Sequence, residues 1–403
     1  MNILWILEDN QRSANYKIAY NLANIMKNKH NIICAFYGSN LCDANFELND
    51  SFIDVLYLGG FRSKDLNTAY INRKWREKNR KEKVTYIIRH PELIIGLIKK
   101  CIAKRNKRCV TQLEAICEEY KIDAVIGTVL PYEIATIMAR AKIPCKKIII
   151  QLDPFVFNSM YNEKTRRKHI RLEQEVINSV DVILTTKFIK SEIIEIHQNR
   201  KSKVVTIEFP EMSYDVDKKE YGSNIKINKQ SDSILFLHAG SFYEDIRNPK
   251  YLLELFMRLP KNYILVVAGL NTHMLRDISG KLADRIIDLG FREQKDVEFL
   301  KDKVDFLICF NNKVENQVPS KLFECIETGK PFINLCQLEN CPSLPYVQDY
   351  DNSINVFVNK MEPEKVIDFV NNNKGKVIDK QTILSKYYKH TFEYVANQIE
   401  EEL

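Results

Sequence analysis

A short segment near the end of the chain combines residue types that suit a phosphorylated ligand. Residues 319–331 read PSKLFECIETGKP and follow the apolar run VDFLICFN. A helix that begins near Pro319 or Ser320 leaves its first backbone N–H groups unpaired, and these groups, with the positive end of the helix dipole, suit a diphosphate. Proline is favourable at this position because it gives up no hydrogen bond there. Lys321 adds a mobile positive charge, so the segment is a candidate anion site.

The same segment carries a carboxylate and a helix stop. Glu324 lies one turn after the helix start, where its oxygens can accept hydrogen bonds from two neighbouring hydroxyl groups. Gly329 fits a left-handed helix C-terminus, and Pro331 prevents the helix from continuing. When the segment is taken alone, an ordinary capped helix with Glu324 facing solvent also explains these residues.

A second set of candidates stands at the end of the apolar strand SILFLHA. Gly240 and Ser241 are small residues at the carboxyl end of that strand, where the backbone can approach a phosphate closely. Arg247 brings a guanidinium, whose planar donors match phosphate oxygens; a solvated arginine at a helix start is the alternative. His238 lies inside the apolar strand, and we expect a core histidine with satisfied hydrogen bonds.

The first half of the chain offers candidates for binding a hydroxyl group. Asp153 directly follows the strand KKIII, and an aspartate at a strand's carboxyl end can orient or deprotonate a hydroxyl. Capping of the next turn is the alternative role for Asp153. The loop EDNQRSAN after the first strand has no glycine, and we expect Ser13 and Asn15 to supply side-chain hydrogen bonds there.

All of these candidates follow apolar strands in a chain that alternates strands with amphipathic helices. This alternation predicts an α/β protein whose parallel sheets are covered on both faces. A polar stretch without a sustained apolar period separates two such series and is predicted to be a linker. We therefore predict a first domain over 1–207, a linker over 208–233 and a second domain over 234–381, with a helix over 382–403 that packs back on the first domain.

The second half resembles the donor domain of GT-B glycosyltransferases and is most similar to those of glycosyltransferase family 4. The matching stretches, in the family's order, are HAGSFYEDIRNPKYLLELF, ILVVAG, IIDLGF, VDFLICFNN and VPSKLFECIETGKPFI. LEQEVINSVDVILTT and the opening βαβ unit match more loosely. The resemblance implies the GT-B fold, in which two Rossmann-like, doubly wound parallel-sheet domains face each other across a cleft.

The resemblance also implies roles for individual residues. Glu324 matches the glutamate that binds the donor ribose, while Arg247 and Lys321, with Pro319, Ser320, Gly240 and Ser241, fall where the donor diphosphate is held. The family has a second glutamate, seven residues earlier, that contacts the sugar. That position is Asn316 here, and Glu315 is one residue away. Asn316 or a backbone amide of NQVPS is therefore expected to contact the donor hexose.

The implied activity is transfer of a hexose from a nucleoside diphosphate sugar, with a UDP-sugar favoured, to a hydroxyl of a growing, lipid-linked surface glycan. Family 4 enzymes retain the anomeric configuration, and the departing phosphate helps to take the acceptor proton. Asp153, Arg247 and Lys321 are the expected catalytic residues. Two alternatives remain: a non-catalytic GT-B subunit that binds and activates a partner, and a nucleotide-sugar epimerase.

The charge of the chain is concentrated in one segment. The 403 residues carry a net charge of +7, but residues 61–110 hold 16 Lys or Arg against four acidic residues. Apolar residues interleave with these charges over 62–108, which favours adsorption to an anionic membrane surface over a solvated helical pair. Nucleic acid is not expected, because no recognition motif accompanies the charge. No signal peptide is evident, so we expect a cytoplasmic protein peripheral to the inner face of the membrane.

No cofactor or metal is predicted. The sequence has neither a Gly-x-Gly-x-x-Gly motif nor a Gly-x-x-x-x-Gly-Lys-Ser/Thr motif, and its ten cysteines include no Cys-x-x-Cys pair. The Asp-x-Asp triplets at 215–217 and 349–351 follow no core strand, and we interpret them as chance occurrences.

Overall fold

The structure, a computed structural model, describes residues 1–8, 13–37, 54–58, 106–157, 161–212, 224–225, 227, 231–276 and 280–403. The chain divides into two compact units. Unit 1 comprises Met1–Val156, Thr165–Ile207 and Ala396–Leu403, and unit 2 comprises Phe157–Lys164 and Glu208–Val395. Most of the basic segment 62–108 lies outside the described residues, as does the first aspartate triplet. No helix in the described ranges has the length and apolarity needed to cross a membrane.

Unit 1 is built on a seven-stranded parallel sheet in the order β3-β2-β1-β4-β5-β6-β7. The strands are β1 Asn2–Glu8, β2 Asn31–Tyr37, β3 Asp54–Leu58, β4 Ala124–Thr128, β5 Lys146–Gln151, β6 Val182–Thr185 and β7 Lys203–Thr206. The helices are α1 Ala14–Met26, α2 over 106–119, α3 Tyr132–Arg140, α4 Glu163–Ile177 and α5 Lys187–Ile196.

The central strands of this sheet are buried on both faces. Residues Ile3 to Leu7 of β1 are at most 1% exposed. Such continuous apolar runs are typical of parallel sheets, because helices cover both of their faces. Helix α1 returns the chain to β2, which pairs in register with β1 so that Ile3 faces Ile32. The fold therefore brings the loops that follow the strands to one edge of the sheet.

Unit 2 is built on a six-stranded parallel sheet in the order β10-β9-β8-β11-β12-β13. The strands are β8 Ile234–Ala239, β9 Tyr263–Ala268, β10 Ile286–Asp288, β11 Phe306–Phe310, β12 Phe332–Cys336 and β13 Ser353–Phe357. The helices are α6 Lys250–Arg258, α7 His273–Arg276, α8 Gln294–Lys303, α9 Ser320–Glu327, α10 Leu344–Val347, α11 Pro363–Asn373, α12 Lys380–Tyr387 and the first part of α13 Phe392–Glu400, with 3₁₀ turns at Gly280–Arg285 and Tyr388–His390. Both sheets are doubly wound, as predicted.

The end of the chain differs from the single helix expected over 382–403. It forms α12, a 3₁₀ turn and α13, and only Ala396–Leu403 belong to unit 1. There Glu400 pairs with Lys29 at 2.7 Å, and Glu402 pairs with Lys203 at 2.7 Å.

Candidate functional site

The topology of unit 2 selects one place for a ligand. Strand order reverses between β8 and β11, which are neighbours in the sheet although two strands and several helices separate them in sequence. In open parallel sheets, ligands bind beyond the carboxyl ends of the strands at such a switch point. Gly240 and Ser241 follow β8 directly, and the loop that follows β11 leads into α9. The sequence-predicted donor residues therefore belong to the loops at this switch point.

Gly240, Ser241 and Arg247 are in direct contact. Arg247 Nη1 donates a hydrogen bond to the Ser241 carbonyl oxygen at 3.2 Å. A Cβ atom placed on Gly240 would lie 3.4 Å from Arg247 Nη1 and 3.2 Å from the imidazole of His238. The lack of a side chain at 240 thus leaves room for the guanidinium and the ring, which both lie close to the place that a Cβ would occupy.

Arg247 is a buried cation. It is 9% exposed, and its Nε has no hydrogen-bond partner among the described residues. Burial lowers the pKa of its guanidinium from the ordinary value, although an arginine remains charged at neutral pH. The alternative of a solvated arginine at a helix start is therefore wrong. A buried guanidinium with an unused donor is suited to an anion that supplies the missing acceptor.

The sequence reading missed Gly269, which follows β9. A Cβ atom there would lie 2.1 Å from the Gly240 carbonyl oxygen, closer than any side chain tolerates. The backbone N–H of Leu270 also donates to Ser241 Oγ at 3.3 Å. The two loops therefore pack backbone against backbone, and Gly269 shapes the turn at Gly240. The signal for this role was a glycine at the end of the strand YILVVA.

Gln337, also missed, ties three of these loops together. Its Nε2 donates to the carbonyl oxygens of Ile246 at 2.6 Å and Asn311 at 2.7 Å. The backbone N–H of Lys313 donates to the same Ile246 carbonyl at 2.8 Å. Residue 246 follows β8, 311 follows β11 and 337 follows β12, so one amide side chain fixes the loop that carries Arg247.

Helix α9 begins as the sequence predicted. Pro319 precedes the first helical residue in an extended conformation (φ −71°, ψ 130°) and provides no side-chain cap. The N–H groups of Ser320 and Lys321 lie in the first helical turn, where the helix itself supplies no acceptor. The far end is also as predicted, since Gly329 has a φ of +71°. Its carbonyl oxygen accepts from the Ile378 N–H at 2.9 Å and from Asn352 Nδ2 at 3.0 Å.

Glu324 is held between two lysines. Lys321 Nζ lies 2.7 and 2.8 Å from its two carboxylate oxygens, and Lys301 Nζ lies 3.0 Å from Oε2. Burial opposes ionisation of this carboxyl, but the charges and hydrogen bonds of Lys301 and Lys321 outweigh burial and hold the pKa of Glu324 well below its usual range. The Glu324 side chain is 16% exposed, so the alternative that it simply faces solvent is wrong.

His238 is a buried histidine whose pKa is affected by both predicted cations. It is 2% exposed, its Nδ1 lies 3.4 Å from the Ile308 carbonyl oxygen, and its Nε2 has no partner in the described part of the chain. Burial and, less strongly, the charges of Arg247 and Lys321 together lower its pKa to about 3, so the ring is neutral. His238 is a core residue, as expected, but the expectation that its hydrogen bonds are satisfied is wrong.

Asn316 lies in the loop before α9 and is half-buried. Its Nδ2 donates a long hydrogen bond, 3.4 Å, to the carbonyl oxygen of Phe157, which belongs to the same unit. Contact between Asn316 and a donor hexose stays a prediction.

In unit 1, two of the three acceptor-side candidates are in direct contact. Asn15 Nδ2 donates to Asp153 Oδ2 at 3.0 Å. Ser13 caps α1 by accepting from the Tyr16 N–H at 3.0 Å, and its hydroxyl donates to Glu8. The side chain of Asp153 is thus oriented from α1, across the strand β4 that separates β1 from β5.

Two aromatic side chains hold the loop that carries Asp153. Tyr132 Oη donates to the Pro154 carbonyl oxygen at 3.2 Å, and His169 Nδ1 lies 3.0 Å from the Phe155 carbonyl oxygen. The ring of Tyr132 also packs on Phe155 at 4.4 Å. These positioning contacts join residues distant in sequence, and no local pattern announced them.

The second aspartate triplet, 349–351, contacts a lysine side chain at the protein surface. Lys386 Nζ donates to the Asp349 carbonyl oxygen at 3.1 Å and lies 3.9 Å from Asp351, whose side chain is 88% exposed. Within the described ranges, no three His, Cys, Asp or Glu residues are arranged to hold a metal ion. Independence from metal remains a prediction.

Solved structures share the fold of the whole chain. Sucrose-phosphate synthase from Thermosynechococcus elongatus superposes with a TM-score of 0.67 at 10% identity, covering 100% of this chain and 98% of that one. HepE of Anabaena in complex with UDP gives 0.67 at 13% identity (100% and 99%), and the apo lipopolysaccharide outer core galactosyltransferase WaaB gives 0.57 at 12% identity (100% and 100%). No protein-family model and no curated protein matches the sequence. The likeness confirms the predicted GT-B fold.

Proposed function

We propose that this protein is a glycosyltransferase that moves a hexose from a nucleoside diphosphate sugar, with a UDP-sugar as first candidate, to a hydroxyl of a growing, lipid-linked surface glycan. The observation that carries the proposal is the cluster at the switch point of unit 2. An anion requires hydrogen-bond donors and space. The cluster provides the unpaired Nε of the buried Arg247, the side-chain-free backbone at Gly240 and the uncapped N–H groups at the start of α9.

The cluster suits stabilisation of a leaving group. When the bond between the hexose and the diphosphate breaks, negative charge grows on the diphosphate. Arg247 and the first N–H groups of α9 are fixed donors for that charge, and Lys321 adds a mobile one. Preorganised donors supply much of an enzyme's rate enhancement. In the proposed reaction the anomeric configuration is retained, and the departing phosphate takes the acceptor proton. Asp153 orients the acceptor hydroxyl, and Asn15 positions Asp153.

The neighbouring structures support the choice of substrates. HepE was solved with UDP, and WaaB is a galactosyltransferase of the lipopolysaccharide outer core. For a lipid-linked acceptor, the proposed location is the cytoplasmic face of the membrane. The basic residues between 62 and 108 would provide the contact with anionic lipid heads.

A thermal-shift panel of UDP, GDP, CMP, ADP and TDP tests the donor site. A ligand that binds only the folded protein raises its melting temperature, so one diphosphate should stabilise the wild type. Glu324→Ala should lose that shift, whereas Asp351→Ala, which changes an exposed carboxylate outside the cluster, should keep it. No shift from any diphosphate would contradict the donor site and favour the non-catalytic subunit. Consumption of the sugar nucleotide without any acceptor glycan would instead favour the epimerase.

A further inference from the structure

Helices α8 and α9 are joined by a row of four alternating charges. Glu298 Oε1 pairs with Lys301 at 2.9 Å, Lys301 pairs with Glu324 at 3.0 Å, and Glu324 pairs with Lys321 at 2.7 Å. The row is neutral as a whole. One of its ends, Lys321, lies in the first turn of α9, where the proposed diphosphate would bind.

The two lysines that share Glu324 are held very differently. Lys301 has a side chain only 9% exposed, lies on the buried face of α8 and is fixed by carboxylates on two helices. Its pKa is raised well above the ordinary value, because the charges of Glu324 and Glu298 outweigh burial. Lys321 has a side chain 33% exposed, and its ion pair is with a residue one turn further along the same helix. Lys301 is therefore a fixed partner of Glu324, and Lys321 is an exchangeable one.

We propose that Lys301 is a positioning residue that keeps Glu324 ionised and in place while Lys321 turns from Glu324 to the donor diphosphate. The inference rests on the proposed function, since it needs a diphosphate at the start of α9. On binding, Lys321 exchanges one anion for another, and Glu324 retains the charge of Lys301. The carboxylate is then free to accept hydrogen bonds from the donor ribose with the oxygen that Lys321 leaves.

The need for Lys301 follows from the burial of Glu324. A buried carboxylate that loses its last cation is strongly destabilised, and it responds by taking up a proton or by keeping the cation. Without Lys301, Lys321 would be the remaining cation on Glu324. It could then reach the diphosphate only by leaving an uncompensated charge behind. Lys301, which touches no ligand in this scheme, would thus determine whether Lys321 can bind phosphate.

The experiment compares the affinities of UDP and uridine, because their ratio isolates the contribution of the diphosphate. Lys321→Met should lower that ratio about tenfold or more by removing a charge-assisted contact. Lys301→Met should lower the ratio by a similar factor although Lys321 is intact. The double variant should lower it no further than either single variant, since both changes remove the same contact. Lys301→Arg, which keeps the charge, should restore most of the ratio.

Two controls separate this role from a structural one. Glu298→Gln removes the other partner of Lys301 and should leave the ratio near the wild-type value, as should Lys303→Met on the same helix. If Lys301→Met lowers the melting temperature and both affinities equally, with an unchanged ratio, Lys301 is merely structural and the proposal is overturned. If Lys301→Met fails to fold, Lys301→Gln, which can still hydrogen-bond both carboxylates without a charge, decides by the same measurement.

The outcomes also distinguish this inference from the proposed function. A wild-type protein that binds none of the panel diphosphates contradicts the donor site itself, and the role of Lys301 with it. A wild-type protein that binds UDP much more tightly than uridine, beside a Lys301→Met variant with the same preference, contradicts only the role of Lys301. If the panel selects another diphosphate, that diphosphate and its nucleoside replace UDP and uridine.

Discussion

The two proposed donor cations differ in how the protein holds them. Arg247 is 9% exposed and fixed by the Ser241 carbonyl, whereas the Lys321 side chain is 33% exposed and pairs with Glu324. The first is a preset charge and the second a mobile one. Both act on the same leaving group in the proposed reaction. Because one is fixed and the other mobile, neither is expected to replace the other.

Loss of either cation should slow turnover. Arg247→Ala and Lys321→Ala should each reduce kcat about 100-fold, the usual effect of removing one donor from a preorganised anion site. Circular dichroism should show a folded protein in both cases. The matched control is Lys303→Ala, which changes an exposed lysine of α8 and should leave kcat unchanged. Wild-type rates in both variants would refute the assigned site.

Glu324 should make stability depend on acidity. Its folded-state pKa is depressed below the ordinary 4.5 by two lysines, so the stabilisation it provides is fully present above pH 4.5 and is lost as the pH falls towards the folded value. At pH 7, Glu324→Gln should be less stable than wild type by about 1 to 3 kcal/mol. Urea unfolding measures this difference in unfolding free energy, which should become smaller as the pH falls below 4.5. A difference that stays constant from pH 7 to pH 3 would contradict the ion-pair arrangement.

Local sequence patterns could predict part of this site. The signals for a helix start and a helix end lie within a few residues of each other in sequence. They made four residues recognisable: Pro319, Lys321, Glu324 and Gly329. Lys301 could not be recognised, since its role depends on a contact with Glu324, 23 positions away and on another helix. The same is true of Gln337 and of the unpaired His238 Nε2, which exist only through packing between loops and strands.

At the scale of elements, α9 depends on a tight contact at its carboxyl end. A Cβ on Gly329 would lie 2.1 Å from the Ile378 carbonyl oxygen, and its φ of +71° is unfavourable for other residues. Gly375 has a φ of +79° but open space around it. The two glycines therefore share backbone strain and differ in the steric contact alone.

This pair gives a controlled prediction. Gly375→Ala should cost about 1 kcal/mol of unfolding free energy, the price of the left-handed conformation. Gly329→Ala should cost at least about 2 kcal/mol more, because overpacking is added to the same strain. Urea denaturation midpoints measure the difference. Equal losses in the two variants would show that the Ile378 contact is unimportant.

The central strands were predictable because they are continuous apolar runs buried on both faces, as Ile3 to Leu7 show. The break near the chain end was not predicted, although it has a local cause. Thr391 Oγ1 accepts from the Tyr394 N–H at 3.2 Å and so starts α13 as a separate helix. A capping threonine is a helix-start signal that can be read from sequence, but one helix had been expected across it.

At the scale of the whole molecule, the last eight residues belong to unit 1, although α12 and the strands β8–β13 belong to unit 2. Ile399 is fully buried in this segment. The stability of unit 1 should therefore depend on the extreme end of the chain. Sequence alone could suggest that the chain returns, but not which residues become buried.

Shortening Ile399 should affect one unit selectively. Ile399→Ala should destabilise unit 1 by about 2 to 5 kcal/mol, the cost of a cavity in a core. Calorimetry with and without UDP can assign the transitions, because the proposed ligand should raise that of unit 2. Glu402→Gln removes an ion pair whose lysine is 64% exposed and should cost less than about 1 kcal/mol. A shift confined to the UDP-sensitive transition would contradict the assignment of this segment.

The two ends of α9 should differ in the rate at which their backbone amide hydrogens exchange with solvent. The Gly329 carbonyl is bound by Ile378 and Asn352, while the first-turn amides of Ser320 and Lys321 have no acceptor within the helix. The amide hydrogens of Ile378, which donates to Gly329, and of Gly329, which donates to the Ile326 carbonyl, should therefore exchange slowly with solvent deuterium, and those of the first turn quickly. A bound diphosphate would slow only the fast ones, so hydrogen exchange can locate the ligand in the unaltered protein.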